Sequence, residues 1–270
     1  MTVIEQLALE GVTLKPYPED FGVEIEVEAT GTELPPAPPG WRKDYDGSLR
    51  GNCAEYVLKT PLNKLDACRH IISLHDSIKN WGVKVKDSFR AGVHIHVNVQ
   101  EYEKEELITF ASLYYLLEPL LMQWCGEDRA GNYFCLSGDE AEDVVMWAST
   151  NFLNKEGYLA FKKEDRAKYS GMNFCTIPKY GSLEFRGLGT KPCFSNITMW
   201  ISLLEKVKEK AKTSNMAEVF IEFSMTETKD FLSQVFGNLD KEFEKIPDKT
   251  GLLHKGMRTA QQFYYFSRKD

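Results

Sequence analysis

"GVEIEVE", residues 22–28, alternates strictly and predicts a β-strand with one apolar and one acidic face. Side chains two residues apart in a strand point to the same side of the sheet, so the glutamates would share a face. These are Glu24, Glu26 and Glu28, spaced roughly 7 Å apart. Like charges at this spacing repel each other. Either water screens this face, or a positively charged group lies on it.

Two more stretches alternate in the same way: "AGVHIHVNV", residues 91–99, and "GSLEFRG", residues 181–187. Each would have an apolar face for packing and a polar face with metal-binding or phosphate-binding side chains. The polar side chains of interest are His94, His96, Glu184 and Arg186. An antiparallel sheet with a solvated face is the alternative, but such a face usually mixes Lys, Thr, Ser and Glu. A bound cation would explain all three polar faces together.

The remaining pattern is helical. Apolar spacing predicts helices over residues 61–81, 102–125, 139–163 and 195–213, and two more between 227 and 268. Pro119 predicts a kink or a division of the second helix, and Ser195 or Asn196 is the expected cap of the fourth. We therefore predict an α+β fold with a mainly antiparallel sheet. Residues 1–270 are expected to form a single catalytic domain, with about 215–270 as a candidate helical C-terminal subdomain.

Composition narrows the class of protein. The chain has 270 residues and a net charge of −7, which disfavours sequence-independent nucleic-acid binding. It lacks an apolar run of about 18 residues, so no membrane span is expected. Its first residues carry acids and lack the basic region of a secretory signal. The six cysteines form no CxxC motif, which predicts reduced thiols and a cytoplasmic location.

Five carboxylates and one histidine form a candidate metal-binding set. The acids are Glu24, Glu26, Asp46, Glu55 and Glu184. Two or three divalent ions would neutralise them, and oxygen-rich ligation favours Mg²⁺ or Mn²⁺ over Zn²⁺. Asp46 precedes a glycine and could equally be a plain turn residue. Arg186 shares a face with Glu184, and a guanidinium beside metal ions suits phosphate recognition. There is no Walker A motif.

Four short motifs follow one another in a specific order: "G-x-E-x-E" at residues 22–26, "DGSL" followed by Glu55, "AGVHIHV", and "GSLEFRGLGT". In this order they resemble the amidoligase family of the carboxylate–amine ligase superfamily, to which glutamine synthetase and glutamate–cysteine ligase belong. The resemblance spans about residues 20–192. "DRAKYSGMN", residues 165–173, also resembles the family's Arg-Tyr-Asn segment.

The resemblance implies a curved, mainly antiparallel sheet, a partly open barrel with helices packed on its outer face. It also implies ATP and two or three Mg²⁺ ions as cofactors, with Mn²⁺ as a substitute. The implied metal ligands are Glu24, Glu26, Asp46, Glu55, His94 and Glu184. Arg186 would contact the transferred phosphate and act in catalysis with Glu184, and His96 would contact the nucleotide. Arg166, Tyr169 and Asn173 would face the substrate. Glu28 lies outside the motif and is expected to be solvated or at the rim.

The implied function is an ATP- and Mg²⁺-dependent ligase that joins a carboxylate to an amine through an acyl phosphate. Its partners would be a small-molecule or peptide carboxylate and an amine, with neither nucleic acid nor membrane involved. Three alternatives stay open: a guanidino kinase-type phosphotransferase, a metal-dependent hydrolase and a non-enzymatic binding protein. The proline-rich loop at residues 32–41, with Trp41 and Tyr45, is expected to help close the site.

Overall fold

A computed structural model describes residues 1–17, 20–152, 157–163, 165–191 and 194–268. The side chains of residues 163, 165 and 166 lie outside this description. The described part contains a seven-stranded sheet in which every pairing is antiparallel, in the order β2-β3-β1-β5-β7-β6 with β4 on β1. The strands are β1 (Phe21–Thr30), β2 (Trp41–Asp44), β3 (Asn52–Leu58), β4 (Lys84–Val85), β5 (Gly92–Asn98), β6 (Met172–Asn173) and β7 (Ser182–Gly189).

Helices account for most of the remaining described chain. The α-helices are α1 (Val3–Leu9), α2 (Lys64–Asn80), α3 (Lys104–Cys125), α4 (Glu142–Asn151), α5 (Ile177–Tyr180), α6 (Ser195–Thr213), α7 (Met216–Met225), α8 (Thr228–Phe236) and α9 (Lys249–Phe266). Short 3₁₀ helices span Glu127–Arg129, Gly157–Lys163, Asp165–Tyr169 and Gly237–Phe243. This mixed architecture with an open, mainly antiparallel sheet confirms the predicted combination of helices and an antiparallel sheet, and the partly open barrel stays a prediction. None of the described helices is both long and apolar enough to cross a lipid bilayer.

The apolar face of the sheet is covered by helices. Helix α2 contacts β1, α6 contacts β5 and α3 contacts β7. The ring of Phe185 in β7 lies 5.7 Å from Phe110 and 4.7 Å from Tyr114, both on α3. Val23 and Ile25 of β1 are fully buried on this face. Burial of this apolar face leaves the glutamates and histidines on the other side of the same strands.

Three details of the helices differ from the sequence prediction. Helix α3 continues through Pro119, so a division there is wrong, and the helix is buried along almost its whole length. Tertiary packing thus outweighs the local cost of proline. Helix α2 begins at Lys64, with Asn63 rather than Pro61 at its start. Helix α6 has Phe194 as its N-cap, without a side-chain cap.

Glu118, in the middle of α3, is a buried carboxyl away from the polar face of the sheet. Its Oε2 accepts a 2.6 Å hydrogen bond from the backbone N–H of Gly138, and its Oε1 has no hydrogen-bond partner among the described residues. Burial raises the pKa of Glu118 to about 8; Asp139 and Glu140 add to this effect, while the Gly138 bond and Lys255 oppose it. Glu118 is therefore protonated in the folded protein at neutral pH.

Glu118→Gln is expected to flatten the pH dependence of stability. Between the ordinary glutamate pKa of 4.5 and about 8, the unfolded chain loses this proton while the folded chain keeps it. The free energy of unfolding should therefore fall with rising pH in wild type, by at most about 1.4 kcal/mol per pH unit from this group. Glutamine cannot ionise. Urea unfolding at pH 5, 6.5 and 8 measures the slope, and Glu101→Gln, at an exposed position, is the control. An unchanged slope in Glu118→Gln would show that Glu118 is ionised in the fold.

Candidate active site

Strand register brings the acids and histidines of the polar face together. The strands β1, β3, β5 and β7 are neighbours in the sheet, and their polar residues pair directly across it. The cross-strand pairs are Glu24 with His94, Glu26 with Glu55, and His96 with Glu184. Residues from four distant parts of the chain therefore share one surface.

The side-chain atoms of this surface lie within contact distance. His94 Nδ1 is 3.3 Å from a carboxylate oxygen of Glu24 and 3.4 Å from one of Glu184. His94 Nε2 lies 3.9 Å from Glu26, and His96 Nε2 lies 3.4 Å from Glu24. His94 thus bridges acids of β1 and β7, and His96 contacts the β1 acid Glu24.

Asp46 reaches the same surface from the loop between β2 and β3. Its Oδ1 accepts a 2.6 Å hydrogen bond from the backbone N–H of Ser48, so it is a turn residue as its sequence context predicts. It also lines a cavity with Glu26 and Glu55. The two interpretations of Asp46 are therefore compatible.

These groups line a cavity of about 480 Å³, called here the acidic chamber. Beyond the acids and histidines, its wall carries side chains from the segment before β7. The lining residues are Glu24, Glu26, Asp46, Ser48, Glu55, His94, His96, Phe134, Lys168, Tyr169, Asn173, Cys175, Thr176, Lys179, Tyr180, Glu184 and Arg186.

Three overlapping groups in the chamber have the geometry to hold a metal ion. In each group, one ligand atom from every member lies within 4.8 Å of the others. The groups are Glu26, Asp46 and Glu55; Glu24, Glu55 and His94; and Glu24, His96 and Glu184. Carboxylate oxygens predominate, which is the donor chemistry that Mg²⁺ and Mn²⁺ prefer. The residues present therefore fit divalent cations of this class.

The surroundings shift the pKa values of these acids in opposite directions. Burial raises the pKa of Glu55 to about 7, with the neighbouring charges of Glu24 and Glu26 adding to the effect. Burial also raises the pKa of Glu26. For Glu24 the cost of burial is outweighed by His96 and His94, which hold its pKa well below the usual range. For Glu26 and Glu55 the positive charge of His94 opposes the rise in pKa but does not cancel the effect of burial.

Arg186 lies beside this cluster. Its Nη1 donates a 2.5 Å hydrogen bond to Glu184 and its Nε donates a 3.2 Å bond to the carbonyl of Phe134. Burial raises the pKa of Glu184, but Arg186 and His94 more than offset this, so its pKa is lowered. The side chain of Arg186 is 14% exposed, which leaves one edge of the guanidinium open to the chamber.

The predicted substrate-facing residues differ in their surroundings. Asn173 pairs with Glu184 across β6 and β7, and its Nδ2 donates a 2.6 Å hydrogen bond to the Glu184 carboxylate. Tyr169 lines the acidic chamber. Arg166 belongs to the 3₁₀ helix Asp165–Tyr169, but its side chain lies outside the described part of the chain.

Two expectations at the edge of the chamber are wrong. Glu28 is buried rather than solvated, because it accepts a 2.8 Å hydrogen bond from the backbone N–H of Arg50 under the loop before β3. Trp41 is buried in the core, where its indole N–H donates to the carbonyl of His70 in α2. It cannot close the chamber, and Tyr45 is exposed without lining it.

Sequence reasoning missed two lysines of the chamber wall. The ammonium of Lys168 lies 5.1 Å from the ring centre of Tyr169, and that of Lys179 lies 4.6 Å from the ring centre of Tyr180. Neither lysine lies in an alternating strand, so no local pattern singles it out. The two lysines share one sequence feature: each is followed directly by a tyrosine, as "KY" at residues 168–169 and 179–180.

Comparison with models of known protein families identifies the family of this chain. The family described as "Putative amidoligase enzyme" matches residues 43–208, more than half of the chain. The chain belongs to the amidoligase family. The match covers Asp46, Glu55, both chamber histidines and the Glu184–Arg186 strand of this amidoligase, whereas Glu24 and Glu26 precede it. A search of curated proteins finds no match to the chain.

Proposed function

We propose that this amidoligase is an ATP- and Mg²⁺-dependent carboxylate–amine ligase. It forms an amide or isopeptide bond through an acyl-phosphate intermediate, on a partly open barrel of the type found in glutamine synthetase and glutamate–cysteine ligase. The observation that carries the proposal is the acidic chamber, in which three overlapping groups of ligand residues lie next to Arg186. Family membership supports the ligase class.

The charge balance of the chamber favours two or three divalent ions. Glu24, Glu26, Asp46, Glu55 and Glu184 all line one cavity. Five ionised carboxylates so close together are stable only if cations or protons neutralise them. Two divalent ions supply +4 and three supply +6, which brackets the charge of the acids. Bound Mg²⁺ would neutralise the phosphate oxygens of ATP and orient the triphosphate, and Mn²⁺ would serve in its place.

In the first step, an oxygen of the substrate carboxylate attacks the γ-phosphorus of ATP. The bond to the β,γ-bridging oxygen breaks, ADP leaves, and the acid becomes an acyl phosphate. Arg186 stabilises the charge that develops on the transferred phosphoryl oxygens, because its guanidinium matches them with two parallel donors. Glu184 orients Arg186 through the 2.5 Å hydrogen bond between them. His96, on the same face, contacts the nucleotide.

In the second step, the amine attacks the acyl carbon, and inorganic phosphate leaves as the C–N bond forms. The amine loses a proton in this step. Tyr169, Asn173 and Arg166 hold the acid and the amine in position. Phe134, Tyr169 and Tyr180 add aromatic surface to the wall of the chamber. Such surface limits the access of water, which would otherwise hydrolyse the acyl phosphate.

The test is an ATPase screen with Mg²⁺ against a panel of acid–amine pairs, with mass spectrometry of the products. The proposal requires ADP, phosphate and a product with the mass of acid plus amine minus one water, formed only when both partners are present. A phosphorylated acceptor would instead identify a guanidino kinase-type phosphotransferase. Hydrolysis without ATP would identify a metal-dependent hydrolase. Absence of Mg²⁺–ATP binding by calorimetry would identify a binding protein.

A further inference from the structure

Strand β7 carries a β-bulge at Arg186. In the β5–β7 ladder, Ile95 pairs with Phe185 and Val93 pairs with Leu188, so two residues of β7 stand opposite the single residue His94. These two residues are Arg186 and Gly187. A bulge of this kind interrupts the hydrogen-bond ladder and re-aims a side chain, and bulges are frequent next to active sites.

The bulge changes which side chains face the chamber. Strict alternation from Phe185 places position 187 on the core side, where a Cβ on Gly187 would lie 2.9 Å from Met122 Sδ, and the extra residue brings Leu188 to the core as well, at 1% exposed. The extra residue therefore separates Arg186, on the chamber side, from the apolar residues that follow. The bulge begins at Arg186, so the backbone that carries this guanidinium is part of the bulge.

The guanidinium of Arg129 binds the backbone of the bulge. Its Nε donates a 3.0 Å hydrogen bond to the carbonyl of Gly187, and its Nη2 donates a 3.0 Å bond to the carbonyl of Arg186. Arg129 is the last residue of the 3₁₀ helix Glu127–Arg129, which follows α3. Both hydrogen bonds join residues that are at least 57 positions apart in the sequence, so no local sequence pattern predicts them.

Burial of the Arg129 side chain at this position is energetically unfavourable. Arg129 is 1% exposed, and within the described part of the chain its Nη1 has no hydrogen-bond partner and its guanidinium forms no ion pair with a carboxylate. Burying an uncompensated charge is costly, so an apolar side chain of similar length would pack here at less cost. What the guanidinium adds is the pair of donors for the two bulge carbonyls.

The same loop holds the side chain of Arg186. The carbonyl of Phe134 accepts the Nε–H of Arg186 at 3.2 Å, five residues after Arg129. The loop therefore fixes the backbone of Arg186 through Arg129 and its side chain through Phe134. Together with the hydrogen bond to Glu184, these contacts hold both the backbone and the guanidinium of Arg186.

We propose that Arg129 is a positioning residue that locks the bulge of β7 and thereby aims Arg186 into the acidic chamber. Its effect on catalysis rests on the proposed ligase function, whereas its effect on the conformation of Arg186 does not. The two consequences can be measured separately.

The first measurement follows the Nε–H proton of Arg186 by NMR, with the resonance assigned by its loss in Arg186→Lys. Arg129→Met should speed exchange of this proton with water by about 10-fold or more, because the Phe134 bond is no longer maintained. Arg129→Lys keeps the charge and one donor, and should show an intermediate rate. Lys210→Met is the matched control, because it removes a partly buried cation that pairs with Glu222 on α7, remote from β7.

The second measurement is Mg²⁺–ATP turnover in the presence of an active acid–amine pair. Arg129→Met should lower kcat by about 10-fold or more and leave KM for Mg²⁺–ATP within about twofold, with partial recovery in Arg129→Lys. Unchanged Nε–H exchange in Arg129→Met overturns the positioning role, even if wild type turns over ATP. Faster exchange in Arg129→Met, together with a wild type that does not turn over ATP, upholds the positioning role and defeats the ligase function. If Arg129→Met fails to fold, the exchange rate in Arg129→Lys decides.

Discussion

Arg186→Ala is expected to lower Mg²⁺–ATP turnover by about 10²-fold or more, which is the typical cost of losing a positioned charge contact in the transition state. Arg186 lines the acidic chamber, and its guanidinium donates a hydrogen bond to the Glu184 carboxylate. Alanine removes the donors that would meet the phosphoryl oxygens. Steady-state release of ADP measures the effect, and circular dichroism checks that the fold is retained.

Glu184→Gln should abolish turnover in the same assay. It replaces a carboxylate oxygen that could bind a metal ion and removes the negative partner of Arg186, while the shape of the side chain is kept. Arg69→Ala is the control, because Arg69 lies on the surface of α2, where it pairs with Asp66. Wild-type turnover in Arg186→Ala or Glu184→Gln would remove that residue from the site. Equal loss in Arg69→Ala would mean that the assay reports stability rather than catalysis.

Glu24→Gln is expected to remove most of the stabilisation that Mg²⁺ gives to the fold. At Mg²⁺ concentrations of about 100 times Kd, a single site raises the free energy of unfolding by about 2.7 kcal/mol. Glu24 belongs to two of the three groups of residues that could hold a metal ion, so its replacement impairs both groups. A neutral amide also leaves less negative charge to attract the cation. Urea unfolding with and without Mg²⁺, compared within each variant, measures the difference.

Glu28→Gln is a closely matched control for this prediction. Glu28 lies on the same strand and the same face as Glu24, but it belongs to none of the metal-competent groups. Its bond from the Arg50 backbone N–H can be kept by a glutamine oxygen. A Mg²⁺ effect that is equally reduced in both variants would argue against a specific site at Glu24. Full stabilisation of Glu24→Gln by Mg²⁺ would argue that Glu24 is not a ligand.

The strands of the site were predictable because their signal is local. A period of two in "GVEIEVE" and in "AGVHIHVNV" assigns each side chain to a face without any knowledge of the neighbouring strands. The apolar faces had to be buried, so the glutamates and histidines had to lie on the opposite side. The grouping of these acids with Glu184 as one candidate site followed from the type of side chain alone.

Helix ends and loop residues were less predictable because their environment comes from elsewhere in the chain. Pro119 would interrupt an isolated helix, yet α3 continues through it inside the core. Trp41 follows a proline-rich loop and looks like part of a lid, but α2 buries it. Glu28 looks like the third member of an acidic row, but the loop before β3 covers it.

By itself, the sequence determined the strands β1, β5 and β7, the polar face of each and the kinds of ligand that this face offers. Only the tertiary structure decided the partners: Glu24 opposite His94, Glu26 opposite Glu55, and His96 opposite Glu184. It also decided the bulge at Arg186 and the contact with Arg129. The physical reason is that alternation within a strand depends on neighbouring residues, whereas register depends on packing and hydrogen bonds between distant segments.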